Sequence, residues 1–375
     1  GGRYRIVDFV LSNLVNSGVY SIYVLIQFKS QSLLQHLREG WEVSGLLKNN
    51  FIIPVPAQMR SGGEQWYRGT ADAIYQNLYL LERSGAECVL ILAGDHIYRM
   101  DYAAMLTRHR ESGADLTVAC LTVPVADARA FGVVTVDPQD RVLSFHEKDP
   151  NPPTIPGDPA HALASMGVYV FSLPRLVQLL EWDHDLPDST HDFGKDILPA
   201  IVAKHRVMAY RFGGPSGRVT ADRYWRDVGT LDAYYEANMD LLRPMPAMDL
   251  YQGDWSIRTY EGQYPPARSV PGASGREADI ANCMLASGTV IIGATVHHSI
   301  LFPNVRVDEG AVVDNSLLFH GASVGAGARL QRVIVDKGVT IPPGEQIGFD
   351  RAADASRFTV SDAGIVVVPK GYRFA

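Results

Sequence analysis

The chain has few of the residues that mark a secreted, zinc-binding or membrane-spanning protein. It contains three cysteines among 375 residues, at Cys88, Cys120 and Cys283. Their odd number and wide spacing argue against a disulfide framework and against a cysteine-based zinc site. No run approaches the roughly 18 consecutive apolar residues of a membrane helix. We therefore expect a protein of the reducing cytoplasm.

The chain also lacks an excess of positive charge. Its 41 acidic residues outnumber its 34 basic ones, which gives a formal net charge of −7. A broad nucleic-acid-binding surface is therefore not expected, because such surfaces neutralise many phosphates with Lys and Arg. Small anionic ligands remain possible, since local basic residues can outweigh the net sign. No two histidines have the i, i+4 spacing of helical zinc ligands.

The length and the pattern along the chain predict two domains. The first ~240 residues alternate apolar runs with helical periodicity, which is typical of a Rossmann-like, mostly parallel sheet covered by helices. Strands are predicted at residues 21–26, 88–92, 115–121, 142–147, 167–171 and 207–212, and helices at residues 29–39, 71–83, 101–111, 193–204 and 231–242.

The last ~100 residues carry a repeat with a six-residue period. Leu301, Val307 and Val313 are six positions apart, and the same spacing recurs further along the chain. Hexapeptide spacing of aliphatic residues is typical of a parallel β-helix, although an antiparallel sandwich with frequent turns stays open. Prolines interrupt residues 243–278, which we interpret as a linker before a β-helix over residues 279–375.

Two carboxylates mark a candidate site. Asp95 lies in the string Ala-Gly-Asp-His, directly after the predicted strand 88–92. Strands of open α/β sheets end at the edge where ligands bind. Asp227 lies in a second string, Trp-Arg-Asp-Val-Gly-Thr. If the fold brings them together, the two carboxylates form an oxygen site suited to Mg²⁺ and phosphates; taken singly, each is an ordinary loop residue.

Other short motifs have both a binding and an ordinary interpretation. Residues 66–73 precede a predicted helix whose first amide groups would favour a phosphate, or they form a simple capped loop. Lys148, next to Glu147 at a strand end, is a compact charge suited to phosphate, or it is merely solvated. Gly132 allows a ligand to approach the backbone or forms a bulge. Ser165 offers a hydroxyl before a strand, or belongs to a bare turn.

Taken together, these strings resemble the bacterial glucose-1-phosphate adenylyltransferases, also called ADP-glucose pyrophosphorylases. The resemblance covers essentially the whole chain and rests on ten motifs in order, followed by the hexapeptide repeat. The motifs are residues 5–9, 11–13, 16–18, 66–73, 92–98, 131–133, 164–171, 191–196, 224–230 and 255–260.

The resemblance implies a nucleotidyltransferase domain over residues 1–242 and a left-handed parallel β-helix for regulation and oligomerisation. It implies an enzyme that makes ADP-glucose and pyrophosphate from ATP and glucose 1-phosphate for glycogen synthesis, as a homotetramer controlled by allosteric metabolites. It further implies that Asp95 and Asp227 hold Mg²⁺ and that Lys148 grips the sugar phosphate. The implied glucose 1-phosphate residues are Tyr67, Gly132, Glu147, Lys148 and Ser165, and the implied allosteric residues are Arg5, Arg83 and Arg357.

The sequence departs from the family at its beginning. The family opens with a strand and a Gly-Gly-x-Gly-x-Arg loop that wraps the triphosphate, and the sequence starts after both, so we expect it to be incomplete. Two alternatives stay open. One is another sugar-1-phosphate nucleotidyltransferase that uses UTP, dTTP or GTP; the other is a noncatalytic regulatory subunit or truncated fragment.

Overall fold

The computed structural model describes residues 1–27, 30–42, 50–57, 66–214, 216–219 and 222–374. Residue 29, the predicted start of one helix, lies outside this part of the chain. The chain divides into two compact units. The repeat unit comprises Gly1–Phe9, Asp95–Arg99 and Tyr224–Ala375, and the sheet unit comprises Val10–Gly94 and Met100–Arg223.

The five predicted helices are found in the predicted order, and two of them are interrupted. The described residues also form four helices that the sequence pattern did not predict, at Ile6–Asn16, Val125–Ala128, Leu173–His184 and Arg351–Arg357. None of those described combines the length and the apolar character needed to cross a membrane. Their bounds are α1 Ile6–Asn16, α2 Gln31–Gly40, α3 Thr70–Tyr75, α4 Leu78–Glu82, α5 Tyr102–Ser112, α6 Val125–Ala128, α7 Leu173–His184, α8 Leu198–Ile201, α9 Leu231–Met239 and α10 Arg351–Arg357, with a π-helical turn at Phe193–Ile197 and 3₁₀ turns at Asp240–Leu242 and Gly253–Trp255.

The helix predicted over residues 71–83 is two helices, because Asn77 interrupts it. The Asn77 backbone has φ −116°, outside the helical range, and its side-chain amide donates to the Ala73 carbonyl at 2.8 Å. Asparagine competes with helix hydrogen bonds in this way. The helix predicted over residues 193–204 begins as a π turn, in which the Leu198 amide donates to the Phe193 carbonyl five residues earlier. Proline at position 199 has no amide to donate, and the α-helical part is limited to Leu198–Ile201.

Among the described residues, ten strands precede the repeat region. Several match the prediction closely, and the strand expected at residues 167–171 is part of a longer one. They are β1 Ser21–Ile26, β2 Phe51–Pro56, β3 Cys88–Leu92, β4 His96–Tyr98, β5 Leu116–Pro124, β6 Gly132–Val136, β7 Val142–Glu147, β8 His161–Ser172, β9 Val207–Arg211 and β10 Trp225–Asp227.

The sheet unit is built on one six-stranded sheet in the order β7-β6-β8-β5-β9, with β3 also paired to β8. Strands β3, β5, β6 and β9 share one direction, whereas β7 and β8 run against them. The sheet is therefore mixed, with four of its six strands in the common direction. Buried apolar residues of β5, β8 and α7, including Val118, Phe171 and Leu176, form its core.

The repeat unit contains a parallel β-helix with three faces. Successive coils stack in register, so that Val296, Val313, Leu330 and Ile347 form one buried column. The first strand, β11, lies within the stretch interpreted as a linker and pairs with β14. The strands are β11 Arg268–Val270, β12 Asp279–Ala281, β13 Met284–Leu285, β14 Val290–Ile292, β15 Thr295–His297, β16 Ile300–Leu301, β17 Arg306–Val307, β18 Val312–Asp314, β19 Leu317–Leu318, β20 Ser323–Val324, β21 Arg329–Gln331, β22 Val333–Val335, β23 Thr340–Ile341, β24 Gln346–Ile347, β25 Thr359–Val360 and β26 Val366–Val368.

These parallel faces confirm the parallel β-helix predicted from the six-residue spacing, and they are consistent with the left-handed β-helix that the family resemblance implies. Helix α9 packs against this β-helix through Tyr235, whose side chain belongs to a cluster with Ile300 and Leu317. The Tyr235 hydroxyl also donates to the Asn315 carbonyl at 2.7 Å. The helix that follows Asp227 is thus anchored on the repeat, within the same unit.

Candidate functional site

Asp95 and Asp227 are brought together by a short antiparallel strand pair in the repeat unit. Strand β10 pairs with β4 so that Asp227 lies opposite His96, and the Val228 amide donates to the Asp95 carbonyl at 3.2 Å. As a result, the potential ligand atoms of Asp95, His96 and Asp227 all lie within 4.8 Å of one another. Backbone pairing, rather than side-chain packing, sets this proximity.

The two carboxylates differ from the histidine beside them in their surroundings. The Asp95 side chain is 64% exposed, while His96 is only 12% exposed and its Nε2 lies 3.5 Å from Asp95 Oδ1. The His96 ring also packs edge-on against Trp225, with 4.8 Å between ring centroids. Asp227 is held by the Gly229 amide, which donates to its Oδ1 at 2.8 Å. The histidine is therefore fixed, and the Asp95 carboxylate is open to a ligand.

The donor set fits a hard divalent cation. Carboxylate oxygens are the protein ligands that Mg²⁺ prefers, and two ligands of one such ion stand up to ~4 Å apart. The ligand atoms of this cluster lie within 4.8 Å of one another, near enough for one ion to contact both carboxylates. Asp95 and Asp227 are thus the residues that would hold Mg²⁺.

Strand β10 is anchored from behind by a buried carboxylate. Arg226, whose side chain alternates with that of Asp227 along the strand, contacts Asp240 Oδ2 at 2.8 Å. The Tyr224 hydroxyl donates to the same oxygen at 3.1 Å, and Arg243 contacts Oδ1 at 2.8 Å. Burial and the neighbouring Asp240 charge raise the pKa of Tyr224. This arrangement fixes the strand that presents Asp227.

In the sheet unit, three predicted sugar-phosphate residues form a row across neighbouring strands. Gly132 of β6 lies opposite Glu147 of β7. On its other side, β6 pairs with β8 with Val133 opposite Ala164, so Gly132 and Ser165 are the next residues along. A Cβ at position 132 would collide with the Phe145 ring. The strand register is regular at Gly132, so the bulge interpretation does not apply there.

Glu147 and Lys148 lie at the end of this row. Burial raises the pKa of Glu147, and the nearby Lys148 charge opposes that effect. Lys148 has a left-handed backbone, with φ 48°, and its amide donates to the Phe131 carbonyl at 3.1 Å. The backbone therefore changes conformation directly after Glu147. Glu147 is in extended strand conformation, and Lys148 is in the left-handed region.

The surroundings of Ser165 and Tyr67 could be predicted from the sequence only in part. Ser165 is buried within β8 rather than before a strand, and its hydroxyl oxygen accepts a hydrogen bond from the Gly167 amide at 3.4 Å. The Tyr67 hydroxyl accepts a hydrogen bond from the Asn77 side-chain amide at 3.1 Å. Asn77, the residue that breaks the predicted helix, therefore also orients Tyr67.

Sequence reasoning gave no site role to residues 190–195, which contact two of these elements. The Thr70 hydroxyl, three residues after Tyr67, donates to Asp192 Oδ2 at 3.1 Å. A Cβ at Gly194 would lie 2.7 Å from Glu147 Oε2. The sequence did contain a signal for this role, the order Asp-Phe-Gly at the start of a predicted helix. Asp indicates a helix cap, and Gly allows another part of the protein to approach the backbone closely.

The three predicted allosteric arginines have different surroundings. Arg5 lies near Lys337, whose pKa is lowered by burial and by the Arg5 charge. Arg83 is exposed just after α4 in the sheet unit. Arg357 ends α10 and contacts Glu345 at 2.8 Å, so this guanidinium has a partner within the protein. Effector binding by these residues stays a prediction.

Comparisons with known proteins agree with this organisation. A family model described as nucleotidyl transferase matches residues 1–243, and one described as GlmU-like, C-terminal hexapeptide matches residues 265–368. The chain is 56% identical over 374 residues to glucose-1-phosphate adenylyltransferase 2 of Vibrio parahaemolyticus. The matched region covers 100% of this chain and 92% of that relative.

Two further relatives extend the comparison. Glucose-1-phosphate adenylyltransferase 2 of Vibrio cholerae is 50% identical over 375 residues, with 100% of this chain and 92% of the relative covered. Glucose-1-phosphate adenylyltransferase of Paramagnetospirillum magneticum is 47% identical over 372 residues, with 98% of this chain and 86% of the relative covered. With identity at this level along the full chain, and both domain types in the expected order, the chain belongs to the glucose-1-phosphate adenylyltransferase family.

Proposed function

We propose that the protein transfers the adenylyl group of ATP to glucose 1-phosphate, giving ADP-glucose and pyrophosphate. The observation that carries the proposal is the pair Asp95 and Asp227, held together by strands β4 and β10. Family membership supplies the reaction, and this pair supplies the oxygen ligands that a nucleotide-bound cation requires.

The reaction needs positioning and charge neutralisation more than proton transfer. A phosphate oxygen of glucose 1-phosphate is already an anionic nucleophile, and it attacks the α-phosphorus of ATP while pyrophosphate leaves. Two anions must meet, so the protein has to align them and offset their charge. Bound Mg²⁺ supplies positive charge at the triphosphate. Asp95 and Asp227 would hold it there, and Asp227 is kept in place by the Gly229 amide.

The sheet unit supplies the residues proposed for the sugar phosphate. Lys148 neutralises the phosphate as a compact charge. Glu147 accepts hydrogen bonds from sugar hydroxyls, and Gly132 beside it has no side chain, which lets the Glu147 carboxylate and the Phe145 ring approach the strand backbone. Ser165 and Tyr67 contribute hydroxyl groups. This assignment is supported by the row that Glu147, Gly132 and Ser165 form across β7, β6 and β8.

Nucleotide selectivity tests the proposal against its nearest alternative. The protein is assayed for nucleotide-sugar formation from glucose 1-phosphate with ATP, UTP, dTTP and GTP in parallel. We expect ATP to give the highest kcat/KM by at least tenfold. A preference for another nucleotide would identify a different sugar-1-phosphate nucleotidyltransferase. No product from any nucleotide would favour a noncatalytic subunit and contradict the proposal.

Further features of the family are proposed for this chain as well. They are a role in glycogen synthesis in the cytoplasm, assembly into a homotetramer, and control by metabolites that bind near Arg5, Arg83 or Arg357. The exposed position of Arg83 supports its availability to a ligand. Light scattering of the purified protein measures the assembly, and an Arg83→Ala variant measures the effector response.

A further inference from the structure

A buried hydrogen-bonded pair of side chains in the sheet unit, His191 and Asp183, lies outside the residues proposed to touch substrate. His191 Nδ1 lies 2.8 Å from Asp183 Oδ2, and the two side chains are 4% and 2% exposed. Asp183 belongs to α7, and its second oxygen accepts a hydrogen bond from the Ser189 hydroxyl at 2.6 Å. The Ser189 oxygen in turn accepts from the His191 amide at 3.0 Å. The chain from residue 189 to 191 is therefore fastened to one helical carboxylate.

The shape of this segment depends on that attachment. His191 has φ 56°, in the left-handed region that residues other than glycine adopt at a cost. Such a conformation persists only where the surroundings hold it, and the His191 ring is held by Asp183. With this backbone at His191, its carbonyl accepts from the Ala71 amide and the following Asp192 accepts from the Thr70 hydroxyl.

The His191 carbonyl fixes the start of helix α3. It accepts the Ala71 amide at 2.8 Å and the Asp72 amide at 3.4 Å. At Gly69, a Cβ would collide with the carbonyl oxygens of Thr190 and His191, so the two segments are in direct backbone contact. Tyr67 stands two residues before this contact, in the loop that leads into α3.

The same segment also contacts Glu147, through the turn that Asp192 caps and that contains Gly194. Asp192 Oδ1 accepts the amides of Gly194 and Lys195 at 2.9 and 3.1 Å. This cap brings Gly194 so close to Glu147 that no side chain fits between them. The Glu147 carboxylate, half-buried with a raised pKa, is thereby confined on one side by the backbone of this turn.

We infer that Asp183 and His191 are positioning residues for the glucose 1-phosphate site: their buried pair holds residues 189–195 against both the Tyr67 loop and Glu147. The inference rests on the proposed function for what the site binds. Its structural part, that the pair orders these contacts, stands independently of the substrate. Neither side chain is assigned a contact with substrate.

The test uses substitutions at His191, with His109 as a matched control. His191→Ala removes the hydrogen bond to Asp183, whereas His191→Asn keeps a donor at a similar position and tolerates a left-handed backbone. His109 is another buried histidine of the sheet unit, and it hydrogen-bonds Thr117 at 2.8 Å. His109→Ala measures the effect of losing such a residue away from residues 189–195.

We expect His191→Ala to raise the KM for glucose 1-phosphate about tenfold, the scale of one lost buried hydrogen bond, while the KM for ATP changes less than twofold. His191→Asn should restore most of the affinity for glucose 1-phosphate. His109→Ala should lower the melting temperature without changing one KM more than the other. If His191→Ala changes the KM values for glucose 1-phosphate and for ATP equally, as His109→Ala does, the role of His191 is merely structural and the inference is overturned.

Hydrogen exchange separates this inference from the proposed function. In His191→Ala, the amides of Ala71, Asp72, Gly194 and Lys195 should lose protection relative to the wild type, with or without substrate. Unchanged protection would overturn the inference even in an active enzyme. A wild type that makes no ADP-glucose would instead overturn the proposed function, and the exchange result would still decide whether the pair orders these contacts.

Discussion

Asp227 lies directly opposite His96 across the antiparallel pair of β10 and β4, and this register places it beside Asp95, the residue before His96. The two carboxylates are 132 positions apart in the chain, yet they share one short strand pair. Because the pairing is made by backbone hydrogen bonds, replacing either side chain should leave the fold in place.

The first prediction concerns these two carboxylates. Asp95→Asn and Asp227→Asn keep the side-chain shape and remove the charge, so each should lower kcat for ADP-glucose formation by ~10²–10⁴, the scale of a lost preorganised charge contact. The measurement is kcat at saturating ATP and glucose 1-phosphate. Asp254→Asn, at an exposed position of the same unit, is the control. Near-normal turnover in either variant would remove that residue from the mechanism.

The second prediction concerns Lys148. Lys148→Ala should raise the KM for glucose 1-phosphate about 10–100-fold, because a hydrogen bond to a charged group contributes ~1.5–3 kcal/mol. The KM for ATP should change little. Lys204→Ala, at an exposed position of the sheet unit, controls for a general loss of charge. A defect confined to ATP would contradict the assignment of Lys148 to the sugar phosphate.

Parts of this site could be predicted because local sequence determines them. Strand β3 has the predicted bounds, Cys88–Leu92, since an unbroken apolar run allows little else. The six-residue spacing likewise indicates a β-helix, since each aliphatic residue must point inward. The expected meeting of Asp95 and Asp227 needed the family resemblance, because no local pattern pairs β4 with β10.

Other parts depend on contacts between distant segments. The break at Asn77 follows from a side chain that bonds both Ala73 and Tyr67, and helical periodicity does not report such a bond. The direction of β8 is set by its partners β3, β5 and β6. The turn at His191 is held by Asp183, eight residues earlier on a helix, so the composition of residues 190–195 alone does not specify it.

The third prediction concerns the support behind β10. Asp240 is 3% exposed and contacts both Arg226 and Arg243. Asp240→Asn removes the charge that the two arginines and the Tyr224 hydroxyl share, and a hydrogen bond to a charged group contributes ~1.5–3 kcal/mol. Asp240→Asn should therefore lower the free energy of unfolding by about 3 kcal/mol in urea. Arg243→Ala, whose side chain is 62% exposed, should cost far less; equal losses would contradict a buried role for Asp240.

The fourth prediction concerns the pH dependence of glucose 1-phosphate binding. Burial raises the pKa of Glu147, so this carboxylate takes up a proton at a higher pH than an exposed glutamate does. If the ionised form accepts sugar hydroxyls, the KM for glucose 1-phosphate should begin to rise while the pH is still above the usual range of glutamate. Glu147→Gln should have a raised KM that no longer changes over this range.

The same shift has a consequence for stability with the opposite sign. Because the folded protein binds this proton more tightly than the unfolded chain, stability falls as the pH rises from the ordinary glutamate pKa through the raised one. Glu147→Gln should therefore melt at a higher temperature than the wild type at neutral pH. Glu181→Gln, at an exposed position on α7, is the control. A lower melting temperature for Glu147→Gln would contradict the burial of a charged carboxylate.

Cation binding by Asp95 and Asp227 is the claim on which the proposed activity depends, and it can be measured without turnover. Mn²⁺, a paramagnetic substitute for Mg²⁺, is titrated into the protein with ATP present, and its binding is followed by electron paramagnetic resonance. We expect a site that is weakened at least tenfold in both Asp95→Asn and Asp227→Asn and is unchanged in Asp254→Asn. Wild-type Mn²⁺ affinity in the first two variants would contradict it.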